Sequence, residues 1–256
     1  MSNSFIKNIL TVMTGTALAA AVPIAVSPIL TRLYTPNTFG LFGSFTAIVA
    51  LLSIIATFRY EIAIMLPKNK KLANYVAQLA IAIAIFASSI FLLIFLFSIP
   101  YIHPYIKINQ NLNIIVILLI IALLINAILQ SLAYLSNRYQ IFKYLAKNRL
   151  IISTITAVSQ LVLCQVAPEL GLIFGYILGL TIGATLLLLK LHRLQLFNTI
   201  ASPRVLKSIA FRYRKFPQYD ILTTLMGTGS SQIPVLMLGM LFNPTISGYY
   251  YLTQRI

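Results

Sequence analysis

The chain has 256 residues, of which 59% are hydrophobic and only 9% charged, and its formal net charge is +16. A soluble globular domain carries roughly 25% charged residues, so a water-facing fold is excluded for want of polar surface. The basic residues stand in short clusters between long apolar runs, as in the loops of membrane proteins and unlike the continuous basic face that nucleic acid needs. Acidic residues are confined to Glu61, Glu169 and Asp220.

A spanning helix needs about 20 mostly apolar residues. In chain order such runs fall near 9–31, 41–65, 73–98, 112–135, 150–168, 170–189 and 220–242, and an eighth begins near Ser247. Turn chemistry separates them: Thr35-Pro36-Asn37, Pro67-Lys68-Asn69, Pro100 to Pro104, Pro168-Glu169-Leu170-Gly171 and Asn243-Pro244. The runs are long and continuous, which predicts an all-α polytopic transmembrane bundle and not a barrel of short alternating strands. The first run begins like a secretory signal, with Lys7 ahead of it and Ala17-Leu18-Ala19 inside it. It continues to Leu30, however, and its pattern returns near residue 220, so it reads as a retained helix. Cys164 lies within an apolar run and reads as a small buried hydrophobe. His103 and His192 have no ligand cluster around them, so neither a metal nor a cofactor is expected.

Fifteen of the nineteen basic residues fall on one side of these spans: Lys7, Lys68 to Lys71, Arg138 to Arg149 and Lys190 to Lys215. Arg32 and Lys107 fall on the other side, and Arg59 and Arg255 lie within or at the edge of spans. The positive-inside rule then places the N-terminus in the cytoplasm. The stretch Ser202 to Lys215 predicts a basic helix on the membrane surface, started by Pro203 and held near anionic lipid heads.

The sequence repeats itself. NILTVMTGT from Asn8 to Thr16 matches DILTTLMGT from Asp220 to Thr228, with Ile9/Ile221, Leu10/Leu222, Thr11/Thr223, Gly15/Gly227 and Thr16/Thr228 identical. Pro23 and Pro234 follow in register within one residue, and TPNTFG from Thr35 aligns with NPTISG from Asn243. Six helices lie between the copies, so both run the same way, as in transporters built from two parallel halves. This divides the chain into a first six-helix lobe (1–190), a basic connector (191–219) and the opening of a second lobe (220–256). Four further helices would be needed to complete that second lobe. Pro23, Pro28 and Pro234 are expected to kink or break their helices near a central site.

The string NILTVMTGTALAAAVPIAVSPILTRLYTPNTFGLFGSF resembles the opening of Wzx-type polysaccharide (O-antigen) flippases. ATFRYEIAIMLPKNKK, FRYRKFPQYD and SGYYYLTQRI are similar to later landmarks of the same group, which belongs to the multidrug/oligosaccharidyl-lipid/polysaccharide exporter superfamily. The resemblance implies two six-helix lobes around a central cavity in the inner (cytoplasmic) membrane. It also implies translocation of polyprenyl-diphosphate-linked oligosaccharide by alternating access for surface polysaccharide such as lipopolysaccharide. Polysaccharide-assembly proteins are the partners it suggests, beside the membrane lipids expected at the basic connector, and with no phosphate-binding glycine loop, nucleophile elbow or metal motif in the sequence no enzymatic step is expected. The family normally has twelve or more helices, and this chain ends at the eighth.

A diphosphate crossing a low-dielectric region needs cations, and arginine suits the task because it stays charged and bonds phosphate in bidentate fashion. That singles out Arg59, Arg255 and, at the far end of the first span, Arg32 as substrate-binding candidates. Glu61 is the candidate for ion coupling. Two residues apart on a helix do not face each other, so no Arg59–Glu61 pair is expected. Asp220 is expected to favour the N-terminus of the seventh span. Asn126, Gln130, Gln160 and Gln232 could contact sugar hydroxyls or bridge helices, and Tyr249 to Tyr251 are expected at an interface. A glycosyltransferase or polymerase would need catalytic side chains in a sizeable outer loop, and a cation-coupled drug exporter would need more acids in its spans. A non-transporting fragment is the remaining alternative.

Overall fold

The computed structural model describes residues 2–102, 112–196 and 201–255, without the side chains of 2–11, 96, 98–102, 112 and 255. The described residues are helical, with no strand among them. In chain order the helices are α1 (Ser2–Leu33), α2 (Pro36–Ala56), α3 (Tyr60–Ala63), α4 (Lys70–Ile102) and α5 (Leu112–Arg138). They continue with α6 (Phe142–Leu163), α7 (Gly171–Arg193), α8 (Pro203–Arg212), α9 (Lys215–Leu241) and α10 (Pro244–Arg255). Among the described residues six helices, α1, α2, α4, α5, α7 and α9, hold a stretch long and apolar enough to cross a bilayer. A polytopic helical bundle is the result, as the sequence predicts.

The differences from prediction lie at helix ends. α6 begins at Phe142, before the expected 150, and its opening turns carry Lys143, Lys147 and Arg149. Its apolar part from Leu150 to Leu163 then covers only about 21 Å at 1.5 Å per residue, which is why it falls short as a span on its own. The expected span 41–65 is really α2, starting at Pro36 and ending at Ala56, followed by a turn and the four-residue α3. α1 and α9 stay helical through Pro23, Pro28 and Pro234, so these prolines do not break them. The basic helix predicted from Ser202 appears as α8, with Pro203 in its first position. Besides facing outward it docks inward, burying Ile209 against α4 and its neighbours.

Two apolar cores hold the bundle. One gathers the basic ends of the helices: Ala73, Val76 and Ala77 of α4, Leu132 and Leu135 of α5, Leu145 of α6, Leu187 and Leu191 of α7, and Ile209 of α8. The other lies toward the opposite end, where Leu30, Tyr34, Phe39, Phe42 and Phe45 meet Leu118, Leu119, Leu172 and Ile173. Side chains tie the same elements. Gln160 is fully buried and donates through Nε2 to the Leu172 carbonyl at 3.0 Å, bridging α6 and α7. Tyr34 donates to the Gln160 carbonyl at 2.6 Å, fixing the end of α1.

The sequence repeat is also a structural repeat. Thr35 caps α2 by accepting from Thr38 N–H at 3.4 Å, and Asn243 caps α10 by accepting from Ile246 N–H at 2.9 Å. Each cap is followed by proline at the first helical position. A Cβ at Gly40 would strike the Pro244 carbonyl, and one at Gly248 would strike the Pro36 carbonyl. Reciprocal contacts of this form are what a two-fold operator produces. The contact continues in the same sense, with Tyr251 against Gly43 and edge-on to Phe42 at 5.7 Å. α2 and α10 therefore run parallel, related by a pseudo-two-fold axis through the two glycines.

Candidate functional site

At its basic end α2 stops because the backbone turns left-handed. Thr57 closes the helix, its hydroxyl donating to the Ser53 carbonyl at 3.1 Å, and Phe58 and Arg59 follow with φ of 47° and 59°. Left-handed backbone costs an ordinary residue roughly 1–2 kcal/mol. Here it reverses the direction of the side chains after the turn. Arg59 becomes the residue ahead of α3, and Tyr60 anchors that short helix by donating to the Ala210 carbonyl of α8 at 2.9 Å.

The turn overturns the expectation that Arg59 and Glu61 stay apart. The two-residue spacing would separate them on a helix, but they are not on one, and Arg59 Nη1 donates to Glu61 Oε1 at 3.1 Å. Arg59 Nε also donates to Asp220 Oδ2 at 2.6 Å. Asp220 is therefore not the cap of its helix. α9 begins five residues earlier, at Lys215, and Asp220 projects from its second turn into this ion pair. Two of the chain's three carboxylates thus converge on one guanidinium.

Burial differs across the cluster. The Arg59 side chain is 15% exposed, that of Glu61 0% and that of Asp220 36%. Glu61 Oε2 is buried without a hydrogen-bond partner. α3 lies outside the apolar spans, and burial pushes the Glu61 carboxyl above its ordinary range. The charge of Arg59 works the other way. Glu61 is accordingly the carboxylate of this cluster best placed to take up a proton.

Arg59 also closes one side of a cavity of about 240 Å³ between α2, α5, α7 and α9. Its wall includes Ser53 from α2, Asn126 and Gln130 from α5, Tyr176 from α7, and Thr224 and Thr228 from α9. The polar residues come in helical register: Asn126 with Gln130, and Asp220 with Thr224 and Thr228, each four residues apart and so on one face. Thr224 Oγ1 lies 3.3 Å from Asp220 Oδ2, joining the wall to the ion cluster. Of the five N–H donors of a guanidinium, the two carboxylates engage two. The site therefore offers a cation, amides and hydroxyls in one hollow, enough to hold an anionic polar head against a surrounding apolar bundle.

The remaining predicted residues lie elsewhere. Arg32 is exposed in the last turn of α1, at the opposite end of the bundle from Arg59, so the structure does not unite the two. Arg255 closes α10, and its side chain lies outside the described residues, as do Lys107 and His103. Of the in-span amides, Asn126 and Gln130 face the cavity, Gln160 bridges helices, and Gln232 is half-buried on α9. Sequence reasoning missed Ser53, Tyr176, Thr224 and Thr228. For the two threonines a signal existed, since Thr228 stands in the repeated Gly-Thr and shares its face with Asp220.

The described helices thus form a bundle of apolar, membrane-length helices with a parallel repeat and a polar cavity between its copies. Residues 29–256 match the family described as Polysaccharide biosynthesis protein, and the chain belongs to that family. No curated protein and no solved structure matches it.

Proposed function

We propose that this chain is a flippase-type member of its family, moving polyprenyl-diphosphate-linked oligosaccharide across the cytoplasmic membrane by alternating access, with its N-terminus inside. The observation that carries this reading is the cavity with Arg59 at its edge and Asn126, Gln130, Thr224 and Thr228 on its wall. Arg59 meets the diphosphate, and the amides and hydroxyls meet the first sugar. In the conformation described here Glu61 and Asp220 neutralise Arg59, so an arriving diphosphate must compete with them. A proton on Glu61 lowers that competition, which couples loading to an ion gradient. The basic clusters from Lys68 to Lys71, Arg138 to Arg149 and Lys190 to Lys215 support a cytoplasmic position for this end. Arg32 at the other end and Arg255 on α10 are the further cations of the path. The protein breaks no bond in its cargo and works beside the proteins that assemble the polysaccharide.

The test pairs binding with rescue. The purified chain is titrated with a fluorescent polyprenyl-diphosphate disaccharide, and the gene is expressed in a flippase-deficient strain. Arg59→Ala is expected to weaken binding at least tenfold and to abolish surface polysaccharide, while Arg204→Ala on α8 leaves both intact. Equal binding of the uncharged polyprenyl-linked disaccharide, or full rescue by Arg59→Ala, overturns the reading.

A further inference from the structure

The basic end of the bundle carries more positive charge than the chain can balance. The sequence has three acidic side chains. Glu61 and Asp220 are both held by Arg59. Glu169 stands in the turn between α6 and α7, at the far end of those helices from Lys143 and Lys190. No side-chain carboxylate is left for the cations where α6 begins and α7 ends, so their counter-charge must come from outside the chain.

The cations near this end are not held alike. Beyond α7, Arg212 lies over the Tyr213 ring at 6.0 Å and Arg214 over the Phe211 ring at 4.3 Å, each occupied by its own neighbour. On α6, Arg149 turns toward α1 and donates to Thr16 Oγ1 at 2.7 Å. Lys143 and Lys147 are exposed and four residues apart, so they share one face. Beside them Tyr144 donates to the Leu186 carbonyl of α7 at 2.9 Å, which fixes its ring across the seam between the two helices. Lys190 of α7 lies over that ring, 5.6 Å from the centroid. Attraction to the ring narrows the sweep of a flexible lysine, leaving an ordered ammonium next to Lys147.

Both lysines stand at the rim of apolar helix. Lys147 comes just before the apolar part of α6 that opens at Leu150, and Lys190 directly follows the run that ends at Leu189. That is the level at which a bilayer passes from acyl chain to phosphate. Deeper along the same two helices Val158 and Leu178 are exposed.

We infer that the seam between the start of α6 and the end of α7 binds an anionic phospholipid. Its phosphate sits between Lys147 and Lys190 with Lys143 beside them, and its acyl chains run along the apolar outer faces of both helices. Basic pockets between membrane helices suit acidic headgroups in this way. The sequence alone places headgroup contact at the basic connector, whereas the ordered cations lie ahead of it. The seam is also separate from the cavity: Tyr176, the α7 residue on the cavity wall, is about 21 Å along the helix from Lys190.

The test places the full chain in phosphatidylcholine nanodiscs with a trace of phosphatidylglycerol, or of phosphatidylcholine, carrying a diazirine on the acyl chain. Labelled residues are mapped by mass spectrometry after illumination. The phosphatidylglycerol probe is expected to label α6 and α7 severalfold more than the phosphatidylcholine probe, while the exposed face of α4 around Phe86 labels equally with both. Lys147→Gln with Lys190→Gln should remove the excess, and Lys147→Arg with Lys190→Arg should keep it. Lys147→Gln alone, at an exposed position, should reduce it. Lys70→Gln with Lys71→Gln removes the same charge elsewhere at this end and should leave it in place. Equal labelling of α6 and α7 by the two probes overturns the inference. So does an excess confined to α8, one that survives the glutamine variants at Lys147 and Lys190, or one lost equally with Lys70 and Lys71.

Discussion

The two ends of α2 join the repeats by opposite means. At the Pro36 end, Gly40 and Gly248 bring backbone against backbone, and Phe42 and Tyr251 seal the seam with aromatic surface. At the Ala56 end, the link is one arginine shared between two carboxylates, beside a cavity. The first contact is shaped by steric fit and gains little from any particular ionic condition. The second is made of charges that an anion or a proton can displace.

The comparison breaks most visibly at the glycine seam. Gly40→Leu is expected to have the largest effect, because the atom it meets is a carbonyl of the α10 backbone and not a movable side chain. Overpacking costs about 1–3 kcal/mol even where side chains yield, so loss of most folded protein in detergent, followed by size-exclusion chromatography, is the expected outcome. Arg59→Ala comes next. It leaves the fully buried Glu61 unpaired, and orphaning one member of a buried ion pair costs about 3–5 kcal/mol. Thermal unfolding in detergent checks this, and Arg59→Ala with Glu61→Gln should recover much of the lost stability.

Asp220→Asn sharpens the contrast, since it weakens the clasp without emptying a buried position. At its partly exposed site the expected loss is at most about 1 kcal/mol. Diphosphate binding should tighten because Arg59 loses a competitor, which isothermal titration would report. The double change Asn126→Ala and Gln130→Ala should leave stability nearly untouched and weaken binding of the glycosylated lipid more than of the bare polyprenyl diphosphate. Smallest of all is Gly227→Ala, where open space and better helix propensity predict a gain of up to about 1 kcal/mol. The same change at Gly15 should destabilise, because Ala146 is in the way.

Much of this fold was legible in the sequence, because long apolar runs leave few choices. The repeat was legible too, and the matching caps at Thr35 and Asn243 with prolines behind them show that it holds at the level of single hydrogen bonds. The end of α2 was not. Left-handed backbone usually announces itself with glycine or asparagine, and Phe58 and Arg59 carry no such mark. Once that turn was missed, the Arg59–Glu61 pair could not be seen. The place of Asp220 was lost for another reason: Lys-Phe-Pro-Gln-Tyr reads as loop by polarity, yet it forms the first turns of α9. Asn126 and Gln130 stood out as amides in apolar surroundings. Thr224 and Thr228 were marked only by their spacing from Asp220, and threonine in a helix commonly bonds back to its own turn.

The left-handed Arg59 has a consequence of its own. Backbone and side chain make opposing demands at that position: the turn would be easiest for glycine, while the clasp requires a guanidinium. A large cationic residue therefore occupies a conformation that disfavours it by roughly 1–2 kcal/mol. The bonds to Glu61 and Asp220 offset that cost. Any ligand that draws the guanidinium away from both acids leaves the turn without its compensation, so loading the cavity weakens the joint between α2 and α3. On the function proposed above, the left-handed turn at Arg59 would link ligand binding in the cavity to the joint between α2 and α3.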